Sequence, residues 1–370
     1  MIDTIPQSST IAVAVRHRVR SNFSAIGVGI ILTVANHFFR RCALSSPSKV
    51  AAAVFALAVV AGTTFTGVKQ STAADNSGSK GTIALSLKTI TNDDFQKALA
   101  DAVKAKVESM GYTFLLVTAG EQTAVSTQVN QVEDLIAKKV TGIVLNPMDG
   151  NAVVPVLGKS GDAGIPVVIV DSPVAKGHEG LYITFVGTDN FNAGVQAGKQ
   201  MAQSLANQGK VLVVRGANGS VAGDNRVDGF KKGLEGSGVT IVGEQPGNWT
   251  NSVAMQVTEN MLQANKDVQG LFSASDVMLD GILEALSDAN RKGIVIISVD
   301  GSHKAVDLLA AGEIYGTMAQ FPQKIGSIAV EKLVSVIENK SAANSIPKVI
   351  DSGTMLYSKD NLDEAKKQMF

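Results

Sequence analysis

The sequence predicts an α/β protein made of two doubly wound lobes, each built on a parallel sheet. Three observations predict it: apolar strand-like runs alternate with helical patterns, the connections are short, and the alternation starts afresh after Val186. Strands that are apolar along their whole length fit a sheet covered by helices on both faces. The 370 residues suit two such lobes and a leader.

The first lobe begins with the apolar run Thr82–Leu87. Apolar side chains then recur at helical spacing over Phe95–Val107, and Gly111 ends the helix. The next strand and helix are predicted at Tyr112–Val117 and Val125–Lys138. Three further apolar runs complete this lobe as strands: Val140–Leu145, Pro166–Val170 and Leu181–Val186.

The second lobe repeats the pattern with five strands and five helices. The strands are predicted at Lys210–Val214, Val239–Gly243, Val268–Phe272, Ile294–Val299 and Ile314–Ala319. The helices are predicted at Ala193–Asn207, Arg226–Glu235, Ser252–Ala264, Leu279–Ala289 and Ile325–Ile337. Doubly wound sheets bind ligands beyond the carboxyl ends of their strands, so the residues that follow each strand are the candidates for a site.

Residues 1–74 are interpreted as a leader that contains a secretory signal peptide. Basic residues precede the apolar run Val50–Gly62, and small residues before Asp75 offer a cleavage site near Ala74. The run is short for a membrane span. The signal predicts export to the periplasm. The earlier apolar segment Ser24–Phe39 is not explained by a signal peptide. It reflects either a start codon assigned upstream of the true one or a second hydrophobic element.

Charge and cysteine content exclude several classes of function. The chain balances 33 basic against 33 acidic side chains, but residues 1–74 hold seven of the basic ones and one acid, which leaves a net charge of about −6 on the rest. This charge argues against nucleic acid as a partner. The single cysteine, Cys42, lies in the leader, so the predicted mature chain has no disulfide or thiolate metal site. His178 and His303 lack metal-ligand spacing, and no metal or cofactor is predicted.

Polar side chains that donate or accept hydrogen bonds in pairs follow the predicted strands, together with two aromatic residues. In chain order this set is Lys88, Asn92, Phe95, Asn146, Asp171, Arg226, Trp249, Ser275, Asp300 and Gln320. Paired donors and acceptors suit the vicinal hydroxyls of a polyol, and an indole face suits the C–H face of a sugar ring. Pairs of a nucleophile and a base are scarce. The pattern therefore predicts recognition of a sugar or polyol rather than catalysis.

Each of these residues also has a purely structural interpretation. Asp171 and Asp300 could each cap a helix. Asn146 precedes a proline and could stabilise a turn. Trp249 could be a core residue, and Arg226 could lie on the solvated face of a helix. The shared position of these residues after strands is what favours a common site.

Eight short stretches carry a resemblance that extends over residues 81–357. They are Thr82-Ile-Ala-Leu85, Asn146-Pro-Met-Asp149, Ile165–Asp171, Gly187-Thr-Asp-Asn190, Arg226-Val-Asp-Gly-Phe230, Gln245-Pro246, Val299-Asp-Gly301 and Ala319–Pro322. In this order and spacing they resemble the periplasmic sugar-binding proteins of the ribose/allose type.

The resemblance implies the type I periplasmic binding protein fold, with two lobes joined by a three-stranded hinge. The crossovers are expected near Gly187–Asp189, Thr317–Gln320 and Ser345–Ser352. The N-terminal lobe would then comprise residues 81–188 and 320–345. The C-terminal lobe would comprise residues 189–319 and 346–370.

The same resemblance places ligand contacts on the candidate residues named above, with Lys88 matching the allose-binding branch. Three positions depart from the family. Asp94 stands where an aromatic residue is usual, Ser172 replaces an arginine, and Ser275 replaces an asparagine. We therefore expect a wider and more acidic pocket, with Asp94 among its ligand-binding residues. Such a pocket disfavours ribose and phosphorylated sugars.

The function implied by the resemblance is capture of a monosaccharide or polyol by hinge closure, in a monomer that delivers it to the permease of an ABC transporter. Sensing for a chemoreceptor or sensor kinase is an alternative. The effector-binding core of a transcription regulator would need a basic helix-turn-helix in residues 1–74, which are apolar instead. A dinucleotide-dependent enzyme is disfavoured because the stretch Gly216–Gly223 lacks Gly-x-Gly-x-x-Gly spacing.

Overall fold

The computed structural model describes residues 78–370, which contain twelve strands and ten α-helices. The strands are β1 (Thr82–Leu87), β2 (Thr113–Thr118), β3 (Gly142–Leu145), β4 (Val167–Val170), β5 (Phe185–Gly187), β6 (Gln208–Arg215), β7 (Gly238–Pro246), β8 (Gly270–Ser273), β9 (Val295–Asp300), β10 (Gly316–Ala319), β11 (Val349–Asp351) and β12 (Met355–Tyr357). The helices are α1 (Asp94–Ser109), α2 (Val125–Ala137), α3 (Val154–Asp162), α4 (Asn190–Ser204), α5 (Val221–Leu234), α6 (Asn251–Ala264), α7 (Leu279–Asp288), α8 (His303–Ala311), α9 (Pro322–Glu338) and α10 (Leu362–Gln368). The predicted signal peptide and Cys42 lie outside the described residues.

The strands form two six-stranded sheets, one in each lobe. The first sheet has the order β11-β5-β4-β3-β1-β2 and is parallel throughout. The second has the order β12-β10-β9-β8-β6-β7, and only β12 runs antiparallel, against β10. The two doubly wound α/β lobes predicted from the alternation of apolar runs are confirmed.

The first sheet is covered by helices on both faces, as its apolar strands require. In β1, Ile83, Leu85 and Leu87 belong to one buried cluster, with residues of α1 and α9. Ala84 points to the opposite face, into a second cluster with residues of α2 and α3. Each fully buried aliphatic side chain stabilises the fold by about 1.5–3 kcal/mol. Burial on both faces explains why β1 shows no alternation of polar and apolar residues.

Capping side chains set where several helices begin. Ser220 accepts a hydrogen bond from the backbone N–H of Gly223, so α5 begins at Val221 rather than at the predicted Arg226. Arg226 consequently lies one turn inside the helix and not at its start. The helices α3, α8 and α10 were not predicted from the sequence. Each has nine residues or fewer, which is too short to show a clear helical periodicity. No helix of residues 78–370 has both the length and the apolar character needed to cross a bilayer.

Three crossovers join the lobes, and the third departs from its predicted place. Strand β11 pairs in parallel with β5, which places Val349 beside Phe185 in the first sheet. Residues 346–351 therefore belong with the N-terminal lobe, and the predicted lobe boundary after Ser345 is wrong. The chain crosses at 352–354 instead. The apolar-run criterion missed β11 because this edge strand leaves Val349 62% exposed.

Candidate ligand-binding site

The carboxyl ends of strands from both sheets face one cavity between the lobes. The space that no atom fills between its walls is about 380 Å³, part of which is open to solvent. Its walls are formed by Lys88, Asp93, Phe95, Gln96, Gln122, Asp171, Ser220, Ala222, Arg226, Trp249, Ser275, Val277, Asp300 and Gln320.

Asp171 follows β4 and is oriented by side chains of the N-terminal lobe. Its Oδ2 atom accepts hydrogen bonds from Asn146 Nδ2 at 2.8 Å and from Gln96 Nε2 at 3.2 Å. Asn146 also donates to Gln96 Oε1 at 2.8 Å, and Lys88 Nζ lies 3.7 Å from the same Asp171 oxygen. Within residues 78–370, Asp171 Oδ1 has no hydrogen-bond partner. That oxygen is therefore able to accept from a ligand.

Asp300 ends β9 and accepts hydrogen bonds on both carboxylate oxygens. Oδ1 accepts from Gln320 Nε2 at 2.7 Å and from Arg226 Nη1 at 3.3 Å. Oδ2 accepts from the Ser275 hydroxyl and from the Asp276 backbone N–H. Burial raises the pKa of Asp300, and the Arg226 guanidinium opposes that rise. These four donors hold the carboxylate in a fixed orientation.

Arg226 is almost fully buried and is held on three sides by the C-terminal lobe. Besides Asp300, its Nε donates to Asn190 Oδ1 at 2.7 Å, and its Nη1 donates to the Ala274 carbonyl at 2.7 Å. Among the described residues its Nη2 atom has no acceptor. A guanidinium has five N–H donors in a planar fork, so Arg226 has donors left for a ligand.

Asp276 lies behind Asp300 and stabilises the turn that follows β9. Its carboxylate accepts from the backbone N–H groups of Gly301 and Ser302. It also accepts from the hydroxyls of Ser298, Ser302 and Thr317. Burial, and then the charge of Asp300, raise the pKa of Asp276 to about 7. The residue does not line the cavity. It supports the residues that do.

Asp93 brings a third carboxylate to the cavity. It caps α1, where its Oδ1 accepts from the Gln96 backbone N–H at 3.0 Å, and its Oδ2 accepts from Gln122 Nε2 at 2.8 Å. No cationic side chain of residues 78–370 is in salt-bridge contact with it. Loss of hydration raises the pKa of Asp93 to about 6; Asp300 adds to the rise and Lys88 opposes it.

Two aromatic rings complete the cavity, one from each lobe. Phe95 lies in the first turn of α1, and Trp249 lies between β7 and α6. Lys88 Nζ approaches the Trp249 ring to 5.8 Å, across the cleft. A Cβ atom at Gly216 would overlap the indole, so this position requires glycine. Each ring offers an apolar face to a guest whose edges are polar.

Backbone strain is concentrated at the cavity and its rim. Nine non-glycine residues in the described part of the chain have positive φ. Four of them were predicted as site residues: Asn92, Asp171, Trp249 and Asp300, with φ of 55°, 62°, 59° and 138°. Such conformations cost of order 1–3 kcal/mol each and persist where surrounding contacts enforce them. This energetic cost supports a functional role for the direction in which these four side chains point.

The lobes are closed over the cavity. At the rim, the backbone N–H of Gly150 in the N-terminal lobe donates to the carbonyl of Gly219 in the C-terminal lobe at 3.2 Å. Gly219 has φ of 83°, and a Cβ there would overlap the Asp149 carboxylate. Glycine at this position therefore allows the two rims to meet.

The structure brings eight of the eleven predicted site residues to the cavity wall: Lys88, Phe95, Asp171, Arg226, Trp249, Ser275, Asp300 and Gln320. The other three lie elsewhere. Asn146 is fully buried behind Asp171 and acts on it by a hydrogen bond. Asn92 and Asp94 are exposed and line a neighbouring cavity at the rim. Asp93, and not Asp94, adds acidity to the central cavity, because the cap turns its side chain inward.

Sequence reasoning missed three polar wall residues of the N-terminal lobe: Asp93, Gln96 and Gln122. Gln122 follows β2, so the rule of choosing residues after strands would have found it. Asp93 has the sequence signal of a helix cap, which gave no reason to expect a ligand contact. Gln96 lies inside a helix, and no sequence feature indicated that it would line the cavity. Its amide contacts Asp171 beside Ser172, the serine that replaces the family's arginine.

The cavity offers free hydrogen-bonding groups of both kinds. Asp171 Oδ1 and the Asp93 carboxylate can accept, and Gln320 Oε1 is buried without a partner. The free donors are on Lys88 and Arg226. No histidine or cysteine lines the cavity, and residues 78–370 hold no cluster of three or more His, Cys, Asp or Glu that could bind a metal. This balance suits a neutral guest with several hydroxyls, each of which can donate once.

Comparison with known proteins identifies the family to which the chain belongs. Residues 83–341 match the family described as periplasmic binding protein domain. The ribose import binding protein of Haemophilus influenzae is 30% identical over 72% of this chain and 89% of its own length. The D-allose-binding periplasmic protein of Escherichia coli is 28% identical over 68% of this chain and 83% of its own.

Solved structures of ABC transporter solute-binding proteins share the fold. One from Agrobacterium vitis, with bound D-fucose, has a TM-score of 0.74 and 30% identity, covering 78% of this chain and all of that one. Another from Actinobacillus succinogenes, with bound D-allose, has a TM-score of 0.70 and 29% identity, covering 77% of this chain and all of that one. The chain therefore belongs to the periplasmic binding protein family, within the ribose/allose type that its sequence resembles.

Proposed function

We propose that this protein captures a neutral monosaccharide or polyol between its two lobes and delivers it to the permease of an ABC transporter. The observation that carries the proposal is the closed cavity, whose walls present two aromatic faces together with oriented hydrogen-bond acceptors and donors. A polyhydroxylated ring matches both features, because its hydroxyls donate and its C–H faces are apolar. An anionic sugar would instead place its charge near Asp93, Asp171 and Asp300.

Each wall residue has a role in this proposal. Asp171 accepts from a ligand hydroxyl through its free Oδ1 atom, while Lys88 and Arg226 donate to ligand oxygens. Asp300, whose oxygens already accept four hydrogen bonds, holds Arg226 in place. Phe95 and Trp249 cover the faces of the ring. Ser275 and Gln320 orient Asp300, and Gln320 Oε1 accepts a further hydroxyl. Asn146 orients Asp171 from behind.

Binding without chemistry is part of the proposal. Neighbouring side chains hold Asp171 and Asp300 in fixed orientations, and no histidine or cysteine lines the wall. Export to the periplasm is the matching location, since the relatives are periplasmic binding proteins. Cleavage of the leader near Ala74 and a monomeric state complete the proposal.

A thermal-shift panel of neutral sugars tests the function. The panel contains D-allose, D-fucose, D-ribose, myo-inositol and glycerol, with ribose 5-phosphate as the anionic control. A ligand at one hundred times its dissociation constant stabilises the folded state by about 2.7 kcal/mol, which is roughly 5 °C for a protein of this size. We expect at least one neutral member to reach this shift and ribose 5-phosphate to give none. A phosphorylated sugar that binds more tightly than every neutral one would contradict the proposal.

A further inference from the structure

Phe370 connects the two lobes at the side of the cavity. It follows α10, and its ring is only 7% exposed. The residue lines the rim cavity that also contains Asn92, Asp94 and Lys304. It lies outside the three crossovers of the hinge and is not among the residues that line the central cavity.

The main chain of this segment is held by the C-terminal lobe. Helix α10 packs against α8, and Ala365 in α10 is fully buried in the core of that lobe. The Met369 N–H donates to the Ala365 carbonyl at 2.9 Å, and the His303 N–H donates to the Phe370 carbonyl at 3.0 Å. The backbone of Phe370 therefore moves with the C-terminal lobe.

The side chain of Phe370 belongs to the N-terminal lobe instead. Its ring packs edge-to-face on Phe95, with ring centres 5.6 Å apart and planes at 76°. Both rings are members of the buried cluster that covers the first sheet, together with Leu99 of α1. Because the backbone and the ring of Phe370 lie on different lobes, separation of the lobes has to break the ring pair or detach the segment.

We propose that Phe370 is a positioning residue for ligand capture: it holds Phe95 against the cavity and stabilises the closed arrangement of the lobes. This inference rests on the proposed function, in which Phe95 covers a face of the ligand. An aromatic pair contributes about 0.5–1.5 kcal/mol beyond its buried area, which corresponds to a roughly three- to ten-fold change in affinity. If the ring pair breaks when the lobes part, the contact exists only in the closed form, and its loss then speeds release of the ligand.

Substitution of Phe370 tests the proposal, with calorimetry and stopped-flow kinetics on a sugar from the panel. Phe370→Ala should weaken affinity roughly three- to ten-fold, through faster dissociation at an unchanged association rate. Phe370→Tyr keeps the ring and should restore the wild-type dissociation rate. Leu362→Ala is the matched control, because Leu362 lies on α10 and packs on the C-terminal lobe alone. It should leave affinity unchanged even where it lowers the melting temperature.

A double-mutant cycle shows whether Phe370 acts through Phe95. The affinity losses of Phe95→Leu and Phe370→Ala should be less than additive in the double variant, because the second substitution removes a contact already lost. Additive losses would overturn the positioning role. So would a Phe370→Ala variant whose melting temperature falls while its dissociation rate stays at the wild-type value, since that result describes a core residue only.

X-ray scattering of the ligand-free protein tests the closure role without any sugar. The Phe370→Ala variant should have a larger radius of gyration than the wild type, because fewer molecules are closed. Identical radii would overturn this role. The scattering result stands even if no sugar of the panel binds, so failure of the proposed function and failure of this inference are distinguishable.

Discussion

Asp93 combines the roles of helix cap and cavity carboxylate. Its hydrogen bonds from Gln96 and Gln122 leave lone pairs on both oxygens free. The charged groups that face it are Lys88, which lowers its pKa, and Asp300, which raises it. Its pKa of about 6 lies well above the value of about 3.9 expected in an unfolded chain. Asp93 therefore changes charge within the pH range in which binding is measured.

We predict that ligand affinity falls as pH decreases through about 6. A ligand hydroxyl that donates to Asp93 favours the ionised carboxylate, so below that pH binding has to displace a proton. The loss approaches about ten-fold per pH unit at most. Calorimetry from pH 5 to pH 8 measures it. The stability of the ligand-free protein changes in the opposite direction: the contribution of Asp93 is most favourable below about pH 4 and is lost as pH rises through 6.

The control is Asp93→Asn, which keeps the cap while removing the charge. Asp276, with a pKa of about 7, titrates in both proteins. The difference between the two affinity profiles, rather than either profile alone, isolates Asp93. Profiles that run parallel from pH 5 to pH 8 would show that no ligand group donates to this carboxylate.

Arg226 supplies the second prediction at this scale. Arg226→Ala removes donors to the ligand and leaves Asn190 and Asp300 short of a partner, so we expect roughly a hundred-fold loss of affinity and a fold weakened by about 1–3 kcal/mol. Calorimetry and denaturant unfolding measure the two effects. Arg215→Ala is the control, because Arg215 lies near the surface and contacts Asp224 and Asn218. Equal affinity of the two variants would remove Arg226 from the site.

At residue scale, the sequence locates the site but not the direction of each side chain. Asp171, which follows β4, and Asp300, which ends β9, both line the cavity, because strand ends in a parallel sheet share one edge. Asp94 and Asp93 differ by one position at a helix start. The cap selects Asp93 for the inward direction, and no composition or spacing argument separates the two residues.

At the scale of elements, glycines bring α4 and α5 into close contact. Cβ atoms at Gly194 and Gly229 would overlap the backbone of the opposite helix, at Arg226 and Phe191. Close approach of these backbones fixes α5, which carries Arg226, against α4, which begins with Asn190. The position of Arg226 in the cavity therefore depends on how closely the two helices pack.

We predict that Gly229→Ala destabilises the fold by about 1–3 kcal/mol, because overpacking forces the helices apart. Gly158→Ala is a matched control in α3, since no atom lies within 4 Å of the added Cβ. It should stabilise by about 0.5–1 kcal/mol, as alanine does in an open helix position. Denaturant unfolding of both variants is the measurement. A Gly229→Ala variant as stable as Gly158→Ala would show that the helices can separate without cost.

Elements were predictable where burial makes a long pattern. All ten strands inferred from apolar runs exist, since strands covered on both faces are mostly apolar along their length. The short edge strands β11 and β12 left no such run. Helix starts were predicted less accurately than strands. Helix α5 begins five residues before the predicted start at Arg226, because the cap at Ser220, and not the apolar periodicity, sets its first residue.

For the whole molecule, the site exists only where the two lobes meet. Asp171 and Phe95 come from one lobe, while Arg226, Trp249 and Asp300 come from the other. Neither set encloses a ligand alone. Closure is therefore the step that assembles the cavity, and a ligand that contacts both walls shifts the population towards the closed form.

Trp249 reports this closure directly, because it is the only tryptophan of the chain and is 7% exposed in the closed arrangement. We predict that acrylamide quenches its fluorescence more in ligand-free protein than once a sugar from the panel is bound, since part of the ligand-free population is open and exposes the indole to the cleft. The Arg226→Ala variant, mixed with the same sugar, should stay as quenchable as the ligand-free wild type. Equal quenching of the wild type with and without bound sugar would contradict the prediction that closure around the ligand shields Trp249.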